Sequence, residues 1–255
     1  MEPATGLTIL ATAVGSAKLV EKLLGPTADY VGGGLKDWTE RRVFNLGRVF
    51  RNATKTLGER IDEPGSVPPK VLKGILDAGS FCEDELTAQY LGGVLASSRS
   101  GVTRDDRAST YIALLNRLSS YQIRAHYCFY HLMKAETKEY HEEDCSGGMS
   151  VSAFERFMDY SEEEDREILF DHIMVGLLKE SLIKHCLTRR VDEVWRVVTD
   201  DTAFPWFGVG STVAGIELFL WAYGKPNLRY QDFTDPAVKF DLVSDIEFDF
   251  ENCMK

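Results

Sequence analysis

Apolar positions recur with a helical period along most of this chain, and the period changes only after Arg190. The clearest stretch runs from Pro64 to Lys134. Pro68 and Pro69 suit the first turn of a helix and not its interior, so a helix is predicted from about Lys70, with Val71, Leu72, Ile75 and Leu76 as its apolar stripe. Ser80 with Glu83 has the spacing of a capping box, and Asp84 and Glu85 fall where the next helix's dipole is positive. In that helix Leu86, Tyr90 and Val94 form one line, and Ala88, Leu91 and Leu95 widen it until it is apolar nearly all round, the pattern of a central, buried helix. Gly92 and Gly93 lower its intrinsic stability and so mark a place where a neighbouring helix comes close.

The flanking segments are read the same way. LTILATAVGSAKLVEKLL is a helix rich in small residues, ended by Gly25 and Pro26. A helix beginning at Trp38 carries Val43, Leu46, Phe50, Ala53 and Leu57 on one stripe, with Phe44 and Val49 as surplus apolar positions outside it. After the central helix, Thr103 with Asp106 repeats the capping pattern, and Ala108, Tyr111, Leu115 and Leu118 give an inner face. Ser119 and Ser120 break the chain before the aromatic helix SYQIRAHYCFYHLMKAE, and CSGGMS is a loop. A short helix spans Ser152 to Tyr160. Ser161 with Glu164 starts another, whose inner face takes Ile168, Phe170, Ile173, Leu177 and Leu178. EVWRVVTD then supplies a strand, FPWFGVGST a turn and a second short strand, TVAGIELFLWAY a last apolar helix, and FDLVSDIEFDF an alternating acidic tail suited to an edge strand or to docking. The fold expected is mainly α: a helical bundle with a C-terminal winged-helix-like part containing a small β-hairpin. LLKESLIKHCL is the helix such a module would present. The parts are a mildly basic segment over residues 1–60, a core over 61–135, the winged-helix-like part over 136–224 and an acidic tail over 225–255.

VPPKVLKGILDAGSFCEDELTAQYLGGVLASS resembles the core signature of the Abi-alpha (abortive infection alpha) family of bacterial phage-resistance proteins. The shared features are Pro68 and Pro69 at the helix start, the acidic run Glu83, Asp84 and Glu85, and a small-residue-rich helix with Gly92 and Gly93. STVAGIELFLWAYG is similar to that family's closing helix, so the likeness extends from about Leu19 to Gly224. It implies an anti-phage abortive-infection factor and brings no catalytic residues with it.

Composition and charge narrow the partners. With 44% hydrophobic and 27% charged residues the chain can bury a core, and no stretch reaches the about 20 consecutive apolar residues of a membrane span. No secretory signal is evident and the five cysteines lack paired spacing, so a cytoplasmic location is expected, with peripheral contact at the inner membrane as an option. A net charge of -11 disfavours bulk nucleic-acid binding. Basic residues nevertheless gather before Arg60, and the C-terminal half is acidic. Trp38, Arg41, Arg42, Arg48 and Arg51 are therefore the candidate interaction residues. Their helix either packs on the bundle, the commoner fate of an amphipathic helix, or lies on an anionic membrane or a protein partner.

Candidate chemistry is sparse. Gly32 to Gly34 lack the Lys and hydroxyl spacing of a phosphate loop. Glu83, Asp84 and Glu85 occupy consecutive helical positions that cannot all face one ion. His126 and His131 are off one helical face, so buried imidazoles beside Cys128 account for them better than zinc. No catalytic, metal or cofactor residue is assigned. The expectation is a defence factor that works through a protein partner, a phage component or a second copy of itself. Alternatives are a metal-dependent hydrolase or nuclease at Glu83 to Glu85, and a winged-helix DNA-binding regulator.

Overall fold

The structure is a computed structural model and describes residues 40–102, 104–136, 146–188 and 206–241, together with Gly15, Lys18, Leu19 and Lys22. The expectations for Trp38, Gly32 to Gly34, most of the N-terminal helix, EVWRVVTD and the tail beyond residue 241 lie outside the described residues. The chain divides into two compact units, residues 1–117 with 220–227, and residues 118–219 with 228–255.

Among the described residues the first unit includes α1 (Glu40–Leu57), α2 (Pro69–Ser80), α3 (Glu85–Ser98) and α4 (Ala108–Leu115). A 3₁₀ turn, Gly58–Asp62, follows α1, with Gly58 at φ +54°. Pro68 precedes α2 and Pro69 is its first residue, so the missing N–H falls where no helical bond is lost. The inner stripe of α1 is buried as expected: Val43, Leu46, Phe50, Ala53 and Leu57. Val49 is not surplus, because it too is fully buried. Helix α3 is the centre of the unit, with Leu86, Ala88, Tyr90, Leu91, Val94 and Leu95 all buried.

Both glycines of α3 sit at contacts that leave no room for a side chain. A Cβ on Gly92 would lie 2.7 Å from Asn52 Cβ and 2.8 Å from the Val49 carbonyl oxygen of α1. One on Gly93 would lie 1.7 Å from the Ala222 carbonyl oxygen. On that same side Ser97 Oγ donates to the Trp221 carbonyl at 2.8 Å, and Trp221 packs on Tyr111 with ring centroids 4.8 Å apart.

Two predicted caps are displaced. Ser80 is the last residue of α2, and the cap of α3 is Asp84, whose carboxylate accepts from Thr87 N at 2.7 Å and Thr87 Oγ1 at 2.6 Å. Helix α4 starts at Ala108 with no side-chain cap, and Asp106 pairs instead with Lys70 at 2.7 Å.

The second unit contains α5 (Ser120–Glu136), β1 (Ser146–Ser150), α6 (Val151–Met158), α7 (Arg166–Lys179), β2 (Ile183–Thr188), β3 (Trp206–Ser211) and the start of α8 (Val213–Ala222), whose last residues belong to the first unit. The strands form an antiparallel sheet in the order β1-β3-β2, with Met149 opposite Phe207, Cys186 opposite Val209, and a register shift between Ile183 and Cys186. This corrects three expectations. CSGGMS is not a loop, since Ser146 to Ser150 pair along β3. LLKESLIKHCL is not one helix: α7 stops at Lys179, Ser181 takes φ +57°, and the rest becomes β2. The helix expected from Ser161 begins at Arg166, capped by Asp165, while Glu164 accepts from Ser161 N at 2.6 Å.

Aromatic rings fill this unit. Phe129, Phe154, Phe170 and Phe207 meet with centroids 5.2 to 5.9 Å apart. A second group joins Tyr130, His131, Phe219 and Phe233. The protein is mainly helical with one small sheet, and no helix among the described residues is long and apolar enough to cross a membrane.

Candidate interaction surfaces

The four arginines of α1 do different work. Arg41 is exposed and pairs with Glu83 at 2.7 Å, a surface ion pair of little energetic weight. Arg42 lies 4.2 Å over the ring of Phe81. Arg48 is turned inward, its side chain 16% exposed: Nη2 donates to the Cys82 carbonyl at 2.7 Å and to Asn45 Oδ1 at 3.1 Å, and Nη1 is 3.6 Å from Glu85. Asn45 Nδ2 donates to the Ser80 carbonyl at 3.2 Å, so α1 satisfies carbonyls left open where α2 ends. Arg51 lies 5.9 Å from the ring of Phe44. Charge at Arg48 is thus part of the fold, whereas Arg41 and Arg51 are exposed, Arg51 beside Phe44, which is 58% exposed.

Glu83, Asp84 and Glu85 face three partners: Arg41, the start of α3, and Asn52 Nδ2, which donates to Glu85 at 3.0 Å. They do not converge, and among the described residues no group of three or more His, Cys, Asp and Glu is placed to hold a metal ion. Cys82 beside them is buried. Burial, with the Asp84 carboxylate, pushes its thiol up to about 12 and leaves it unreactive as a thiolate.

The pattern reading missed the outer face of α7. Phe170, Ile173, Met174 and Leu177 form its buried stripe, which leaves Ile168 and Val175 on the far side at 66% and 64% exposed. Placing Ile168 inside together with Phe170 is geometrically inconsistent, because positions two apart do not share a helix face. Ile168 and Val175 are seven apart, two turns, with exposed Asp171 and His172 between them, exposed Glu162, Glu163, Asp165 and Glu167 around the helix start beside Arg166, which pairs with Glu155 at 3.2 Å, and exposed Lys179 one turn beyond Val175. Asp165 accepts from both Glu167 N and Ile168 N at 3.1 Å, which fixes that start. His172 Nε2 lies 3.1 Å from Ser119 Oγ.

The two helical histidines of α5 are interior groups. His126 Nε2 lies 3.1 Å from the Gly215 carbonyl and donates to it in the neutral ring; His131 packs edge-on to Phe219 at 5.1 Å. Burial lowers both to about 3, so both imidazoles are neutral near pH 7. Between them Tyr130 OH donates to the Leu182 carbonyl at 2.6 Å and accepts from Thr212 N at 3.1 Å. Side chains of His185 and Cys186 lie outside the described set.

No family model, curated protein or solved structure matches the chain.

Proposed function

We propose that this chain is a bacterial phage-defence factor of the abortive-infection kind, like the Abi-alpha proteins its core stretch resembles, and that it acts by contact and not by catalysis. In this reading α5 through β3 form a winged-helix-like module adapted to a protein partner. Support for the module comes from the order helix, strand, helix, helix, strand, strand with β3 between the other two. Such modules present their third helix, here α7.

The observation that carries the reading is the outer face of α7, where Ile168 and Val175 are exposed within an acidic surround. Exposed aliphatic side chains set among acids suit a protein surface. They oppose a phosphate backbone, which needs Lys and Arg to release counterions. Nothing at Glu83 to Glu85 favours the hydrolase alternative, because each acid has a structural partner of its own.

The test is the double variant Ile168→Ser, Val175→Ser in cells challenged with phage. Protection should be lost while circular dichroism and the denaturation midpoint stay as in the parent, since both sites are on the surface. A folded double variant that still protects overturns the reading. Tight DNA binding at low salt that falls steeply as salt rises would replace it with the DNA-regulator alternative.

A further inference from the structure

The outer face of α1 carries a second stripe, and it is the electrostatic complement of the one on α7. Arg41, Phe44, Arg48, Arg51 and Lys55 follow one another at spacings of three and four, so they form a line along an 18-residue helix. All but Arg48 are exposed. Phe44 is the apolar residue in this basic line, as Ile168 and Val175 are on α7, where exposed Glu162, Glu163, Asp165, Glu167 and Asp171 outnumber Arg166, paired with Glu155, and Lys179. At about 1.5 Å per residue α1 is about 27 Å long and α7 about 21 Å, so the α7 face fits along the α1 stripe.

Resting on the reading of α7 as a contact face, we infer that its partner is the α1 stripe of a second copy of this chain. Charge complementarity selects this occupant: the matching basic, aromatic line is present on every molecule that presents the acidic, aliphatic one, at the same concentration. The contact joins two different patches, so it is heterologous. Each pairing leaves one α1 stripe and one α7 face open for further copies, and assembly continues unless the geometry closes a ring. Apolar residues at the centre supply the area to be buried, and the flanking charges set register and speed encounter.

Sedimentation velocity on the full chain, over a range of concentrations at low and high salt, reads this directly. The weight-average mass should rise above the 28.7 kDa of one chain as concentration increases and fall back when salt is added. Two charge reversals then divide the contact: Arg51→Glu with Lys55→Glu on α1, and Glu167→Lys with Asp171→Lys on α7. Arg48 is left alone because it holds the Cys82 carbonyl. Each variant alone places like charges face to face and should self-associate about a hundredfold more weakly. An equal mixture of the two should recover association, since each then offers what the other lacks.

A parent chain that stays monomeric throughout overturns the inference, as does self-association indifferent to both reversals or a mixture of folded variants that fails to associate. If the parent is monomeric but binds phosphatidylglycerol vesicles through Arg51 and Lys55, the stripe belongs to a membrane surface and the inference fails. A monomeric parent in which the Ile168→Ser, Val175→Ser variant still loses protection leaves the α7 reading standing with some other partner.

Discussion

The two units are held together by different kinds of core, and the difference decides what each will tolerate. The first is close-packed backbone to backbone at two glycines: α3 meets Val49 and Ala53 of α1 through Gly92, and the Ala222 carbonyl through Gly93. It is sensitive to volume. The second is built from rings, and among them are two imidazoles and a phenol whose polar atoms must find partners in the interior. It is sensitive to proton concentration as well. Small residues let two backbones share space without adding polar groups, while a ring core needs fewer residues per unit volume but brings ionisable edges inside.

Acid is the strongest way to break this comparison. Both histidines have folded values of about 3 against an ordinary value of 6.5. The unfolded chain therefore takes up protons first as pH falls, so their contribution is intact above 6.5 and is lost between 6.5 and about 3. Each histidine should cost about 1.4 kcal/mol per pH unit in that window, so the pair would remove about 5 kcal/mol by about pH 4.5. Near-UV circular dichroism, followed against denaturant at several pH values, reports the loss of fixed packing around the buried rings, Tyr127 and Tyr130 among them. A stability unchanged from pH 7 to about 4.5 would contradict neutral, buried rings.

Volume is the next lever, and it acts on the first unit. Gly93→Ala drives a methyl group into a backbone oxygen that cannot rotate away, so its cost should reach about 3 kcal/mol or more. Gly92→Ala should cost about 1–3 kcal/mol, with Gly92→Leu worse than either. Urea midpoints that rank Gly92→Ala above Gly93→Ala in damage would mean that Ala222 is not seated on α3. The smallest effect expected is at the start of α3. Asp84→Ala should lose about 1 kcal/mol with its cap bonds. Unchanged urea midpoints in Asp84→Ala would mean that Asp84 is not the cap of α3.

What could be read from residue order was whatever burial writes into a period. The stripes of α1 and α3 are such cases, and so are Gly92 and Gly93, because an unfavourable residue inside a helix needs a packing reason. The cap of α3 was misassigned because Ser80 and Asp84 both have cap chemistry four positions apart, and only the end of α2 chooses between them. Strand β1 was illegible for another reason: SGGMS has little strand preference of its own, and pairing with β3 imposes the conformation. Helix α7 ends at a serine with positive φ and not at a glycine, so nothing local announced the change to β2. For the candidate surfaces, composition pointed to the arginines of α1 but could not show that Arg48 is spent on a carbonyl. It hid the α7 face altogether, because Ile168 counts as core until the phase of Phe170, Ile173 and Leu177 is fixed.

Helix α8 has a consequence for how the chain is made. The bond from Ser97 to the Trp221 carbonyl spans 124 positions, and residues 220–227 complete a unit whose other members lie before residue 118. During synthesis the first unit leaves the ribosome lacking the segment that fills the surface beside Gly93. It stays open for as long as translation of the intervening hundred or so residues takes, several seconds at the usual about 5–20 residues per second. A nascent chain stalled before Trp221 would hold α3 with one side exposed, a ready target for chaperones and proteases, and release of the C-terminal part would close it.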